Sequence, residues 1–276
     1  MANYTAADIK ALREATGAGM MDVKKALDEA DGDAVKATEI LRVKGQKGVT
    51  KREGRTTSNG LVAALAGEGV GSLVELLCET DFVAKSPKFI ELAEQVLAQA
   101  VATGAEDAEA LLGSTLEDGR TVQELLDGAN ATIGEKIEIK RVARVEGPTV
   151  VSYLHKTSPD LPAQIGVLVA VEGGDETTAR DVAMHVAAFS PSVLTRDDVD
   201  SSTVENERRV AEATAREEGK PEAALPKIIE GRVNGFFKEN VLLEQAFAKD
   251  PKKSVAKVLE EAGASAKSFV RYRVGA

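Results

Sequence analysis

Side chains with reactive chemistry are few in this sequence and lie far apart. The single cysteine, Cys78, closes an apolar run, V-G-S-L-V-E-L-L-C, where a thiol is buried and inert rather than nucleophilic. His155 ends the run S-Y-L-H and His185 sits in M-H-V-A-A; neither has a serine or cysteine elbow nearby, and both read as packed or surface residues. One cysteine and two histidines exclude a four-cysteine zinc site, a three-histidine metal site and an intramolecular disulfide, and no cofactor is called for. G-E-G-V-G at Gly67–Gly71 has the glycines of a phosphate cradle, but a strand pattern follows where a cradle needs a helix start. A turn with a bulge accounts for it. The carboxylates are spread over solvated faces and single out no acid–base pair. What remains is the chemistry of binding, and the chain is read as no enzyme.

Two local anomalies bear on binding. Thr80-Asp81-Phe82-Val83-Ala84-Lys85 falls between a strand pattern and a helix pattern, where loops on a rigid scaffold carry function. Phe82 stands there among polar residues. It is either a staple folded under the next helix, with Asp81 or Ser86 capping, or an exposed aromatic anchor for a partner's pocket. The adjacent pair Met20-Met21 opens a helix; one methionine is expected to fill core and the other to face outward as a soft contact.

The composition narrows the partner class. The chain has 276 residues with 43% hydrophobic content and 8 Pro, enough for folded cores. Forty-five acidic residues against 35 basic ones give a net charge of −10, poorly suited to general nucleic-acid binding, so no direct nucleic acid is expected. The first residues, M-A-N-Y-T-A-A-D, lack the basic and apolar regions of a secretory signal, and no apolar run has membrane-spanning length, so no membrane is expected and a reducing, cytoplasmic setting is read. With 7 Phe, 3 Tyr and no Trp, the cores must be built of Ala, Val, Leu and Ile.

The elements that position these residues follow from periodicity, and the predicted fold class is α+β. Three short helices span about 5 to 46: Thr5 caps the first with Asp8 as its partner, Val23, Ala26, Leu27 and Ala30 line the second, and Asp33 caps a third with Ala37, Ile40 and Leu41 inward. Lys44 to Arg55, with five Lys or Arg and three Gly, reads as a helix end passing into a linker. The period then becomes two. Leu61–Ala66 and Val70–Cys78 form a hairpin across Gly67-Glu68-Gly69, and two helices follow. One carries Phe89, Leu92, Val96, Leu97 and Ala100; the other opens on the capping box Thr121 and Glu124. Glu135–Glu146 alternates as a strand with Ile137, Ile139, Ala143 and Val145 on one side. Strands at Thr149–His155 and Gln164–Glu172, a helix with Val182 and Val186, and a strand at Ser268–Val274 repeat the pattern, so two similar α+β subdomains with antiparallel sheets are predicted. A charge-rich helical hairpin interrupts the second, turning at Gly219-Lys220-Pro221 and packing chiefly on itself. The resulting division is 1–55, 56–147, 148–197 with 241–276, and 198–240 for the hairpin insertion.

L-R-E-A-T-G-A-G-M-M-D-V-K-K-A-L near the start, T-D-F-V-A-K at Thr80–Lys85 and A-M-H-V-A-A at Ala183–Ala188 resemble the bacterial translation elongation factor Ts family, with I-G-V-L-V-A and G-K-P as further matches between Thr5 and Val274. The resemblance implies a guanine-nucleotide exchange factor that binds elongation factor Tu in its GDP-bound and nucleotide-free forms and is displaced by GTP. It also implies a ubiquitin-associated-like character for the three-helix module. By match, Thr80, Asp81, Phe82 and Val83 disturb the magnesium and phosphate site, and Phe82 is the wedge. Arg13, Met20, Met21 and Lys24 match an N-terminal contact surface, and Ile133, Gly134 and His155 match core contacts. In E-Q-A-F-A-K-D-P, Phe247 fits, whereas Ala248 and Lys249 stand where some members carry a hydrophobic pair. The competing reading is a non-enzymatic adaptor or scaffold that holds a protein or RNA through its N-terminal helical module.

Overall fold

The computed structural model describes residues 3–16 and 18–276, the side chains of 45–51 apart. Leu12, Val23, Ala26, Leu27, Ala37 and Leu41 recur at helical spacing, and the first three helices close around them. These are α1 (Ala6–Thr16), α2 (Met20–Glu29) and α3 (Ala34–Arg52). Thr5 and Asp8 cap α1 reciprocally: the Thr5 N–H donates to the carboxylate at 2.7 Å and the Asp8 N–H donates to the Thr5 hydroxyl at 3.3 Å. Asp33 caps α3, accepting from the Val35 N–H at 2.9 Å. Two expectations are corrected here. The basic segment read as a linker is helix as far as Arg52, since Lys, Gln and Arg favour helix and each glycine costs only about 1 kcal/mol. Its far end is tied down by the Arg52 guanidinium, which donates to the Asn130 carbonyl at 3.0 Å. Met20 and Met21 both face solvent, at 58% and 63% exposure, because Val23, Ala26 and Leu27 already fill the small core.

Two antiparallel three-stranded sheets form the body. The first has the order β1 (Asn59–Gly67), β2 (Val70–Cys78) and β3 (Glu138–Glu146); between β2 and β3 lie α4 (Asp81–Ala84), α5 (Pro87–Thr103), α6 (Ala108–Gly113) and α7 (Val122–Ile133). The second has the order β4 (Thr149–His155), β5 (Ile165–Gly173) and β8 (Ala264–Arg273). Phe89, Leu92, Val96 and Ala100 of α5 and Leu125 and Leu126 of α7 cover the outer face of the first sheet. The inner faces of the two sheets meet through Val62, Leu73, Val145, Val150, Leu168 and Ala170. Glycine makes this approach possible: a Cβ on Gly166 would lie 2.4 Å from Val62 Cγ1. The alternation expected along β3 is corrected by a bulge opposite Glu75 and Leu76. Ile137, Ile139 and Val142 point to the helical layer, whereas Ala143 and Val145 point to the second sheet.

The outer face of the second sheet is covered by α8 (Glu176–Phe189) and, late in the chain, α11 (Val255–Glu261), with Val182, Val186, Val255 and Leu259 buried. Between them α9 (Ser201–Glu217) and α10 (Leu225–Asn240) form the helical hairpin, with Ala211, Ala215 and Leu225 buried in its seam. Its base is less independent than expected: Val233, Phe237 and Val241 pack with Val193 and Val199 of the body, and Phe236 packs partly buried against the same cluster. A two-stranded ribbon, β6 (Ala246–Phe247) and β7 (Asp250–Ser254), then covers His185. No helix among the described residues is long and apolar enough to cross a membrane.

Candidate partner-binding site

The Thr80–Lys85 segment is a single helical turn rather than a loop. Thr80 is extended and caps α4, its hydroxyl accepting from the Val83 N–H at 3.4 Å. Ser86 caps α5 in turn, with Pro87 at its first position, so two helices start within six residues of each other. This geometry decides the fate of the aromatic ring. Ala84 is buried and Val83 packs on the helical core, so the turn directs Phe82 outward to 74% exposure. Phe82 is therefore no staple. Lys85 Nζ lies 4.6 Å from the ring centroid and 3.3 Å from Asp81 Oδ2, forming a small charged collar around an apolar tip.

Beneath the turn lies a network of acidic residues. Glu135 Oε1 accepts from the Thr80 hydroxyl at 2.6 Å, and Oε2 accepts from the Thr80 N–H at 3.0 Å and the Glu79 N–H at 3.2 Å. Glu79 Oε1 accepts from the Lys136 N–H at 2.6 Å, and the Arg55 guanidinium donates to the same carboxylate at 3.1 Å. Partial burial would raise the Glu79 carboxyl, but the Lys136 N–H and Arg55 outweigh it and hold it below the usual range. Burial, helped by the negative charge of Glu135, pushes the Cys78 thiol up to about 12. The thiol donates to the Thr80 carbonyl at 3.2 Å.

The other expected contact residues fall in three places. Ile133 is half-buried and Gly134 exposed at the end of α7, where Gly134 adopts a left-handed conformation with φ of +86°. The Glu135 contacts join this helix end to the Phe82 turn. Arg13, Met20, Met21 and Lys24 are exposed on α1 and α2. Thr132 Oγ1 donates to the Thr16 carbonyl at 3.4 Å, and a cleft lined by Gly19, Asp22, Thr132 and Ile133 separates the helical module from α7. His155 is exposed at the end of β4, its ring stacked on Tyr153, and no hydrogen bond links it to the turn. Its neighbour Leu154 lines an apolar groove of about 530 Å³ that also includes Lys85, Ile90 and Leu97. Sequence reasoning placed Lys85 in the motif but missed Glu79, Glu135 and Arg55 as parts of the site. The only signal for Glu135 was its place after Ile133-Gly134, and nothing in its spacing points to a residue 55 positions earlier.

Among the described residues no group of His, Cys, Asp or Glu could hold a metal ion. The arrangement presents an exposed aromatic tip on a capped, hydrogen-bonded base, a shape that suits insertion into another protein. Residues 79–276 match the family described as Elongation factor TS. Over the whole length of both chains the sequence is 63% identical to the Elongation factor Ts of Pseudarthrobacter chlorophenolicus, 64% to that of Renibacterium salmoninarum and 63% to that of Micrococcus luteus. On that match and those full-length identities, the chain belongs to the elongation factor Ts family.

Proposed function

We propose that this protein is a guanine-nucleotide exchange factor that promotes GDP release from elongation factor Tu by inserting Phe82 beside the partner's magnesium and phosphate site. The exposure of Phe82 on a capped turn carries the reading. Asp81 is its polar companion at the tip, and Thr80 and Val83 hold the turn. Met20, Met21, Arg13 and Lys24 supply a second contact on the helical module, and Ile133, Gly134 and His155 supply contacts on the body.

Bound GDP depends on its phosphate cradle and magnesium ion, and both depend on loop geometry. A protein that binds a distorted loop geometry weakens nucleotide binding, and nucleotide weakens the protein's binding by the same factor. Burying one phenylalanine supplies roughly 1.5–3 kcal/mol, the scale of typical couplings between sites. GTP then displaces the factor unchanged, so the cycle calls for no catalytic side chain. The GDP-bound and nucleotide-free forms of elongation factor Tu are the partners, in the cytoplasm, without direct nucleic-acid or membrane contact.

The test is release of a fluorescent GDP analogue from elongation factor Tu with the protein at substoichiometric amounts. Acceleration with many turnovers per molecule is expected. Binding without acceleration would overturn exchange and leave a non-enzymatic adaptor.

A further inference from the structure

We propose that Glu135 is a positioning residue for nucleotide exchange: its carboxylate locks the Phe82 turn to the Ile133–Gly134 helix end, so that both contact elements meet the partner as one rigid unit. The inference rests on the wedge reading of Phe82. A four-residue helix has too few internal hydrogen bonds to hold itself. The cap from the Thr80 hydroxyl to the Val83 N–H is long, at 3.4 Å. The shorter contacts come from Glu135, which accepts hydrogen bonds from the Thr80 hydroxyl at 2.6 Å and from the Thr80 N–H at 3.0 Å. Both are charge-assisted, and they leave the hydroxyl lone pairs directed at Val83.

The stitching runs in both directions. While Glu135 holds the amides of Glu79 and Thr80, the Glu79 carboxylate holds the Lys136 N–H at 2.6 Å. The Thr80 carbonyl accepts from the Ala84 N–H at 3.2 Å and from the Cys78 thiol at 3.2 Å, so every polar group of Thr80 has a partner. Thr80 sets the direction of Phe82, and Glu135 sets Thr80. The left-handed turn at Gly134 brings the carboxylate back beneath the end of β2. A wedge that wanders is competent for only part of the time, and its apparent affinity falls by that fraction.

The test compares Glu135→Gln, Phe82→Ala and the double variant by amide hydrogen exchange over residues 79–85, thermal melting, and GDP release from elongation factor Tu. In Glu135→Gln, amide exchange at Thr80–Ala84 should quicken and GDP release should slow, each roughly ten-fold, with little change in melting. In the Phe82→Ala background the same change should alter release by less than about two-fold, because residues acting through one another are not additive. Thr80→Val should follow Glu135→Gln, and Thr80→Ser, which keeps the hydroxyl, should restore release; this pair serves if Glu135→Gln does not fold. Equal fractional loss in both backgrounds, or unchanged amide exchange, overturns the positioning role alone. Undiminished release by Phe82→Ala overturns the wedge reading and the positioning role with it.

Discussion

The imidazole of His185 and the side-chain carboxamide of Gln245 are 2.8 Å apart and wholly enclosed, and together they fasten β6 to α8. The Ala248 N–H donates to His185 Nδ1 at 3.1 Å, which fixes the neutral tautomer with its proton on Nε2, facing Gln245 Oε1. Gln245 in turn donates to the carbonyls of Glu239 and Phe189, and the imidazole stacks on Phe189 at 4.7 Å. Burial, only partly offset by Gln245, holds the imidazole below its ordinary value of 6.5. The unfolded chain therefore binds the extra proton first, so this contribution to stability is complete above pH 6.5 and is lost as pH falls through the folded-state value. Melting followed from pH 7 to pH 5 should show a decline beginning near 6.5. His185→Gln should remove that onset while lowering stability at pH 7 by about 1–3 kcal/mol.

Cys78 should resist thiol reagents in the native protein. Its side chain is fully buried and its ionisation is pushed up to about 12, so almost no thiolate exists at pH 8. Titration with a chromogenic disulfide should find no reactive thiol in buffer and one per chain in denaturant. Rapid native labelling would mean that the base of the Phe82 turn opens readily.

Phe82→Ala should separate activity from stability. A ring that is 74% exposed contributes little to the fold, so melting should shift by no more than about 2 °C. GDP release from elongation factor Tu should slow roughly ten- to hundred-fold, the rate equivalent of one buried phenylalanine.

The hairpin should be removable only above its base. Replacing 205–229 by a short Gly-Ser link leaves Val233, Phe237 and Val241 on Val193 and Val199, and the body should melt within a few degrees of the full chain. Deletion of 201–238 strips Phe237 from Val241 and should cost about 3 kcal/mol or more in a urea titration.

Gly166→Ala should loosen the contact between the sheets. The new methyl would sit 2.4 Å from Val62 Cγ1 and 2.8 Å from Leu73 Cδ1, and relief of the clash requires the Val62 and Leu73 side chains, or the strands that carry them, to move. A loss of about 1–3 kcal/mol is expected by denaturant unfolding, with exchange activity retained at temperatures well below melting.

What could be read from the residues was whatever is local. The capping box of Thr121 and Glu124, the hairpin between Gly67 and Val70 and the apolar stripe from Phe89 to Ala100 depend on neighbours within a few positions, and all are present. The short α6, the ribbon at Phe247 and the bulge in β3 escaped because each is set by packing rather than by its own period. Spacing could not decide between a buried and an exposed Phe82, since the answer lies in how Ala84 and Val83 fill the core beneath it. The clasp of Glu135 on Thr80 was invisible for a different reason: two polar residues so far apart in the chain carry no mark of their meeting.

The collar at the tip has a further consequence. Asp81 and Lys85 place opposite charges 3.3 Å apart around Phe82. Beyond a Debye length of about 8 Å they cancel, so an approaching surface meets an electrically neutral point on a chain with a net charge of −10. Diffusional steering then belongs to the acidic remainder of the surface, and the seating of the ring belongs to desolvation. Ionic strength should govern how often the two proteins meet and leave nearly untouched how long the ring stays buried.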